Sequence, residues 1–430
     1  MALTLFIILI LATVTFTAVT VANLDSGTAR QDFLAARALY AARAGLSRAL
    51  AELTFNYNWA GGEGSLEEGA YYTVQVEPGP NNANQTSKIW KISSTGQVEG
   101  AQRAVEAWVE LESFAKFAYF TDVEVMSTGT QIFFISKDVI KGPAHTNGFF
   151  SINGQPQFSD KTTSANQGDS LYNASTFTYN QQGTQTDPFR FYRLGSGQTY
   201  ATSKPVAYQG SPSFSFAGGQ SVIPLPTNTG AIQAKANKTY TGDYRFVFNE
   251  AGYVQVYRKS GASYAFVENV TTNGSPGLTL HVTGRLEMSG KVQGRVTVGA
   301  TEDISITGDL VYADPSRDVL GVVGDNNVIV VSDPNRTQDR YIHASIMALN
   351  GSFTVNSYNT GRYRGTLHVL GGIIQKRRGP VGTFNSSGPV TGYTKDYDYD
   401  EKLLSTPPLN FPTTGKIVIR TVVDRGALGS

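Results

Sequence analysis

Hydrophobic positions run unbroken at the start of the chain and then settle into two different periods. Met1 to Leu24 carries no charged side chain, and Asp25 is the first. As a helix that run is about 35 Å long, enough to cross a hydrocarbon layer of about 30 Å. No charged region stands before it and no small-residue cleavage motif follows, so it does not read as an ordinary cleavable signal peptide. Past Gly27, the residues Phe33, Leu34, Leu39, Tyr40, Leu46, Leu50 and Leu53 recur at helical spacing, while Arg30, Arg37, Arg43 and Arg48 take much of the remaining surface. One long helix over residues 1–53 is expected, apolar all round in its first half and amphipathic in its second.

The period then changes to two. Over residues 54–115, Tyr72, Val74 and Val76 alternate with polar positions. Trp90 and Ile92 alternate with Ile89, Lys91 and Ser93, and Val105, Ala107, Val109 and Leu111 with Glu106, Trp108 and Glu110. Three strands joined by turns at Pro78–Asn82 and Thr95–Gly96 make a small antiparallel sheet. From Leu278 onward the strands are shorter and β-branched, with glycines between them at Gly284, Gly290, Gly294, Gly299 and Gly308. The recurrence around Val282, Val296, Ile306, Ile329, Ile346 and Val369 suits a solenoid rung of about 17–25 residues. A right-handed parallel β-helix is therefore preferred over a β-sandwich, which also has many short strands. Residues 116–161 are read as the start of this solenoid and 277–395 as its main part. Between them, 162–276 is rich in Gln, Ser, Thr, Gly and Tyr, with alternating runs at Tyr244–Phe248, Tyr253–Tyr257 and Ala262–Val267. It is read as an inserted, meander-like β-subdomain and the first choice for partner contacts. Residues 396–430 hold closing strands, with a return to the early sheet left open. The expected fold class is α+β, mostly β.

Two sets of residues carry a family resemblance. Ala38 to Leu50 (ALYAARAGLSRAL), following the apolar run and a short polar break, resembles the N-terminus of PilX-like minor pilins of the type IV pilus family. Gly142–Phe158, Gly290–Tyr312, Ala344–Phe353, Arg364–Thr383 and Gly392–Pro412 are similar to the β-solenoid heads of large competence-associated minor pilins. The resemblance implies a helix that sits in the inner membrane before assembly and in a filament core afterwards. Leu3, Leu5, Phe6, Ile7, Ile8, Leu9, Ile10, Leu11, Val14 and Phe16 would then be the buried contact with other pilin subunits. It also implies a leader removed by prepilin peptidase, numbering that starts after processing, and an extracellular pilus as the destination. Most major pilins carry a glutamate at the fifth mature position, where this chain has Leu5. That departure points to a minor or tip pilin displaying its head for adhesion or DNA capture, with the main repeating subunit as the alternative.

Composition narrows the chemistry. There is no cysteine, so no disulfide or thiolate metal site exists. A formal net charge of +1 makes no global case for nucleic acid. Lys376, Arg377 and Arg378 form the one basic triplet that could touch DNA phosphates, against the plainer reading of a solvated corner. Asp396, Asp398 and Asp400 alternate, which suits pairing with nearby cations better than a calcium loop. His145, His281, His343 and His368 stand apart in strand or loop contexts. No metalloprotease, nucleophile-elbow, phosphate-loop or dinucleotide motif occurs. Solenoids also host polysaccharide-active enzymes, but Asp303, Asp309, Asp314 and Asp318 read better as caps of solenoid corners. No catalytic residue, cofactor or metal is expected.

Overall fold

A computed structural model of the chain describes residues 2–79, 89–130, 132–165, 189–191, 205–274, 276–385 and 388–426. The fold is α+β and mostly β, with a long N-terminal helix, an antiparallel five-stranded sheet and a large, parallel-rich sheet. Two compact units divide the chain, one of Met1–Glu112 with Gly415–Ser430 and the other of Ser113–Thr414. The second is thus an insertion, in sequence, within the first.

In the first unit, helix α1 (Ala2–Phe55) packs on a sheet made of β1 (Gly61–Ser65), β2 (Tyr71–Pro78), β3 (Ile89–Val98), β4 (Ala101–Ser113) and the closing strand Thr413–Asp424. The closing strand lies beside β4 at the sheet edge, where Arg420 pairs with Glu110 and Arg425 with Glu106. Alternation decides which face is buried. Tyr72, Val74, Val76, Trp90, Ile92, Val105, Ala107 and Val109 form one core with Ala42, Leu46, Ala49 and Leu53. The Ala-rich phrase of α1 therefore has a packing reason, since small side chains let helix and sheet backbones approach. The closest point is Gly96 on β3, where an added Cβ would lie 2.0 Å from the Ala38 carbonyl oxygen and 2.4 Å from the Ala42 nitrogen. Neither backbone atom can turn aside. Gly96→Val should destabilise this unit by at least about 1–3 kcal/mol, read as a lowered denaturation midpoint.

The second unit is a solenoid of parallel ladders. In one, Leu280, Val298, Val322, Ile346, Ile373, Tyr119 and Ala144 stand in register and are all buried. In a second, Phe246, Met288, Ile306, Val330 and Val355 do the same. A third aligns Leu310, Ile342, Val369, Tyr397, Ile140 and Phe158. Their inward side chains make one continuous apolar core. Val298, Val322 and Ile346 are spaced 24 residues apart, one turn of the coil each. Gly290 shows why corners take glycine: its φ is +109° and a Cβ would lie 2.2 Å from the Phe248 carbonyl oxygen. Gly299, expected at a corner, lies inside strand Arg295–Ala300 instead, whereas Gly308 falls at the break of register between Ile306 and Leu310. Gly299 is small because Ile232 and His281 pack over it.

Rung order is not chain order. The chain enters the stack in its middle at Tyr119–Val123 and passes through Ala144–Thr146 and Lys161–Ser164 to Ser215–Ala217 at one end. It then crosses the outer face and restarts at Lys238–Thr241 at the other end, next to Leu278–Thr283. From there the rungs climb back until Tyr363–Arg377 pairs in parallel with Tyr119–Val123. The crossing segment buries Ile223 and Ile232 against Phe120, Val323, Met347 and Ile374. Side chains from successive rungs hold its backbone: Asn147 both donates to and accepts from Ile223, Asn350 donates to the Thr227 carbonyl, and Asp325 accepts from the Thr229 amide.

The segment 162–276, expected as an inserted subdomain, is described only in part, and residues 166–188 and 192–204 lie outside the described residues. Strands Lys238–Thr241 and Tyr244–Asn249 pair in parallel with the solenoid and are rungs of it. The hairpin of Tyr253–Ser260 and Ser263–Thr271 continues antiparallel from the second of these and covers that end of the ladder. The alternation read as a meander fits both arrangements, because a rung and a hairpin strand share the period of two.

Candidate functional site

Two places in the chain carry more than packing. The first is the apolar half of α1. Ile10, Leu11, Val14 and Phe16 are 47, 58, 61 and 75 % exposed, and Val19 and Val21 are exposed as well. Leu3, Leu5, Phe6, Ile7, Ile8 and Leu9 lie on the same helix, but their side chains fall outside the described residues. By length and composition α1 is long and apolar enough to cross a membrane. Its threonines carry their own partners. The Thr13 hydroxyl donates to the Ile10 carbonyl (2.8 Å), Thr15 to Leu11 (2.8 Å), Thr17 to Thr13 (2.7 Å) and Thr20 to Phe16 (2.8 Å). A helix whose polar side chains are satisfied internally can enter an environment without water. Burying each large side chain there gains about 1.5–3 kcal/mol. This surface is built to be covered.

The second place is the seam where the last rungs meet the first. Three ion pairs cross it, each between residues about 250 positions apart. Lys376 pairs with Asp122, Arg378 with Glu124 at 3.2 Å, and Lys395 with Asp138 at 3.2 Å. The Arg378 and Glu124 side chains are 3 and 5 % exposed. Arg378 also donates to the carbonyls of Ile132 (3.0 Å) and Phe133 (3.3 Å) and lies 3.7 Å over the Phe134 ring. Glu124 accepts from the hydroxyls of Tyr119 and Thr121. Burial pushes the Glu124 carboxyl up despite Arg378, and burial pulls the Lys395 ammonium down. Beside the seam opens a cleft of about 540 Å³ lined by Met126, Ile132, Phe133, Tyr358, Phe384 and Lys395 among others.

The basic triplet does not make one exposed patch. Arg378 is buried in its ion pair, and Lys376 is held by Asp122, so neither is a free cation for a phosphate. The charge count in the sequence could not show this, because Asp122 lies in the strand Tyr119–Val123 and Glu124 just past it, about 250 residues earlier. Of the alternating acids, Asp396 receives His368 (2.8 Å) and Lys141 (3.7 Å), Asp398 pairs with Lys141, and Asp400 is buried against Lys402 at 2.7 Å. Asp303 accepts from the Asn327 amide, Asp309 from Tyr341 and Asp318 from Gly294, all at rung corners. Asp314 accepts from the Ser316 amide in the turn that follows it. The four histidines stay apart, and among the described residues no group of three or more His, Asp or Glu side chains suits a metal ion.

Sequence reasoning missed Lys395 as an interior residue, although a signal for it exists. In Gly392–Asp398 the period of two puts Lys395 on the face of Tyr393 and Tyr397, both buried.

His281 supplies a pH dependence. Its side chain is fully buried, Nε2 meets the Thr229 hydroxyl at 3.0 Å, and Nδ1 has no hydrogen-bond partner. Burial lowers its pKa below the ordinary 6.5, and burial also lowers that of His343. The unfolded chain therefore binds these protons more readily. The contribution to stability is complete above about pH 6.5 and is lost as pH falls through the depressed folded-state values. The melting temperature of wild type should fall more steeply from pH 7 to pH 5 than that of His281→Gln. That difference isolates the histidine from Glu124, whose raised carboxyl acts in the opposite direction.

Comparison with known proteins adds three findings. Residues 71–166 match a family described as a domain of unknown function, DUF4900. The fold search finds the competence-associated pilin ComZ from Thermus thermophilus at 12 % identity and a TM-score of 0.34, over 91 % of this chain and 97 % of that one. No curated protein matches the chain.

Proposed function

We propose that this chain is a minor or tip subunit of a type IV pilus-like filament, held in the inner membrane by its first 24 residues and displayed on the cell surface after assembly. The observation that carries the reading is α1 itself. Its second half is docked on a sheet through Ala38, Ala42 and Ala49, while its first half presents Leu11, Val14 and Phe16 with nothing over them. Covering that surface, first by lipid and then by the helices of neighbouring pilin subunits, is the simplest use of it. A prepilin peptidase would process the chain before assembly.

The β-solenoid is the part that would meet a partner, and its role is structural and binding, not catalytic. Adhesion is favoured over DNA capture, because Lys376 and Arg378 are already committed to carboxylates. Filaments sheared from cells should contain the chain, and a strain whose chain lacks residues 2–24 should release it only as soluble protein. Its absence from sheared filaments of the wild-type strain would remove the proposal.

A further inference from the structure

Asp138 and Lys395 meet inside the solenoid with Nζ 3.3 Å from Oδ1 and 3.2 Å from Oδ2. Their side chains are 6 and 11 % exposed. The Phe134 ring lies 5.9 Å from Nζ, and Tyr393 and Tyr397 flank Lys395 in the same core. An amine and a carboxylic acid do not condense in water, where both are ionised and solvated. Burial of both side chains, with Lys395 reaching the edge of the cleft, changes both conditions. It disfavours the separated charges, and fixed contact replaces the entropy cost of encounter. The positive charge of Arg378, whose guanidinium lies over the same Phe134 ring, further favours a neutral Lys395. The Ile135 amide donates to Asp138 Oδ2 at 3.0 Å, the position from which a developing oxyanion is stabilised.

We propose that Lys395 and Asp138 condense into an intramolecular amide, a covalent cross-link across the seam between the last and first rungs of the solenoid. One proton passes from the ammonium to the carboxylate, leaving a neutral amine and a neutral acid. Nζ then attacks Cγ, forming the C–N bond. A second proton moves from Nζ to the departing oxygen, the Cγ–O bond breaks, and water leaves. No oxidant, nucleotide or metal enters the balance. The location has a mechanical reason. At the seam, Tyr397 pairs with Ile140 and Ile373 with Tyr119 across segments remote in sequence, so only ladder hydrogen bonds and side chains hold the rungs together. A covalent tie there keeps the stack closed under load.

Intact-mass measurement of the purified full chain tests this. The expected mass is lower than that of the sequence by one water, and tryptic digestion yields the Lys395 peptide joined to the Asp138 peptide. An unmodified mass with both peptides released singly overturns the proposal, whatever any variant does. Lys395→Arg keeps a cation beside Asp138 but cannot form this link, and Asp138→Ala removes the acid, so each should show the unmodified mass. Water loss persisting in both variants would place the dehydration elsewhere and equally overturn it.

Discussion

Val14→Asp should take the chain out of the membrane fraction. Val14 sits near the middle of the charge-free stretch and its side chain is open on the helix surface. A carboxylate at the centre of a spanning helix costs about 2.5–3.5 kcal/mol, roughly a hundredfold in partition. No basic side chain within the first 24 residues can offset it, since the first cation is Arg30. Carbonate-washed membranes should retain wild type and lose most of the variant. Thr17→Val is the matched control. It removes a hydroxyl already bonded within the helix, so partition should stay unchanged or rise. Equal retention of Val14→Asp and wild type would mean that this surface meets water or protein, not lipid.

The second large effect is expected at Arg378. Removing the guanidinium leaves the Glu124 carboxylate buried with only the Tyr119 and Thr121 hydroxyls, and it frees the carbonyls of Ile132 and Phe133. Breaking one side of such a pair costs about 3–5 kcal/mol, because the surviving charge keeps its desolvation penalty and loses its compensation. Arg378→Ala should therefore lower the denaturation midpoint of the solenoid unit sharply. Arg378→Met combined with Glu124→Gln removes both charges, and it should recover a substantial part of the loss. A cost below about 1 kcal/mol for Arg378→Ala would show the pair to be hydrated, in the range of an exposed bridge.

Local period was a good guide to elements and a poor guide to their order. The helix and the three alternating strands of the early sheet follow from side-chain spacing, because burial on one face imposes that spacing directly. The parallel character of the larger body follows instead from the recurrence of short strands at the length of a solenoid rung. The mid-stack entry at Tyr119 does not follow. Ile373 next to Tyr119 and Lys238 next to Leu280 are contacts between short β-branched runs, and any such run could pair with any other. Crossing residues such as Ile223 and Ile232 look like ordinary loop residues in sequence, since the face they cover is defined only once Phe120, Met347 and Ile374 have been stacked. The same reasoning explains the charges. Lys376, Arg377 and Arg378 read as a surface triplet until the earlier strand brings Asp122 and Glu124 to them. Lys395 was the exception, an interior lysine marked by the tyrosines two places on either side.

Immunogold labelling of sheared surface filaments, with antibody against the solenoid unit, tests the proposed role most directly. Gold confined to filament ends is the result expected of a minor or tip subunit. Filaments that carry no gold while the chain is present in the membrane would contradict a place in the filament. Gold along whole shafts would make the chain the repeating subunit and overturn the minor role.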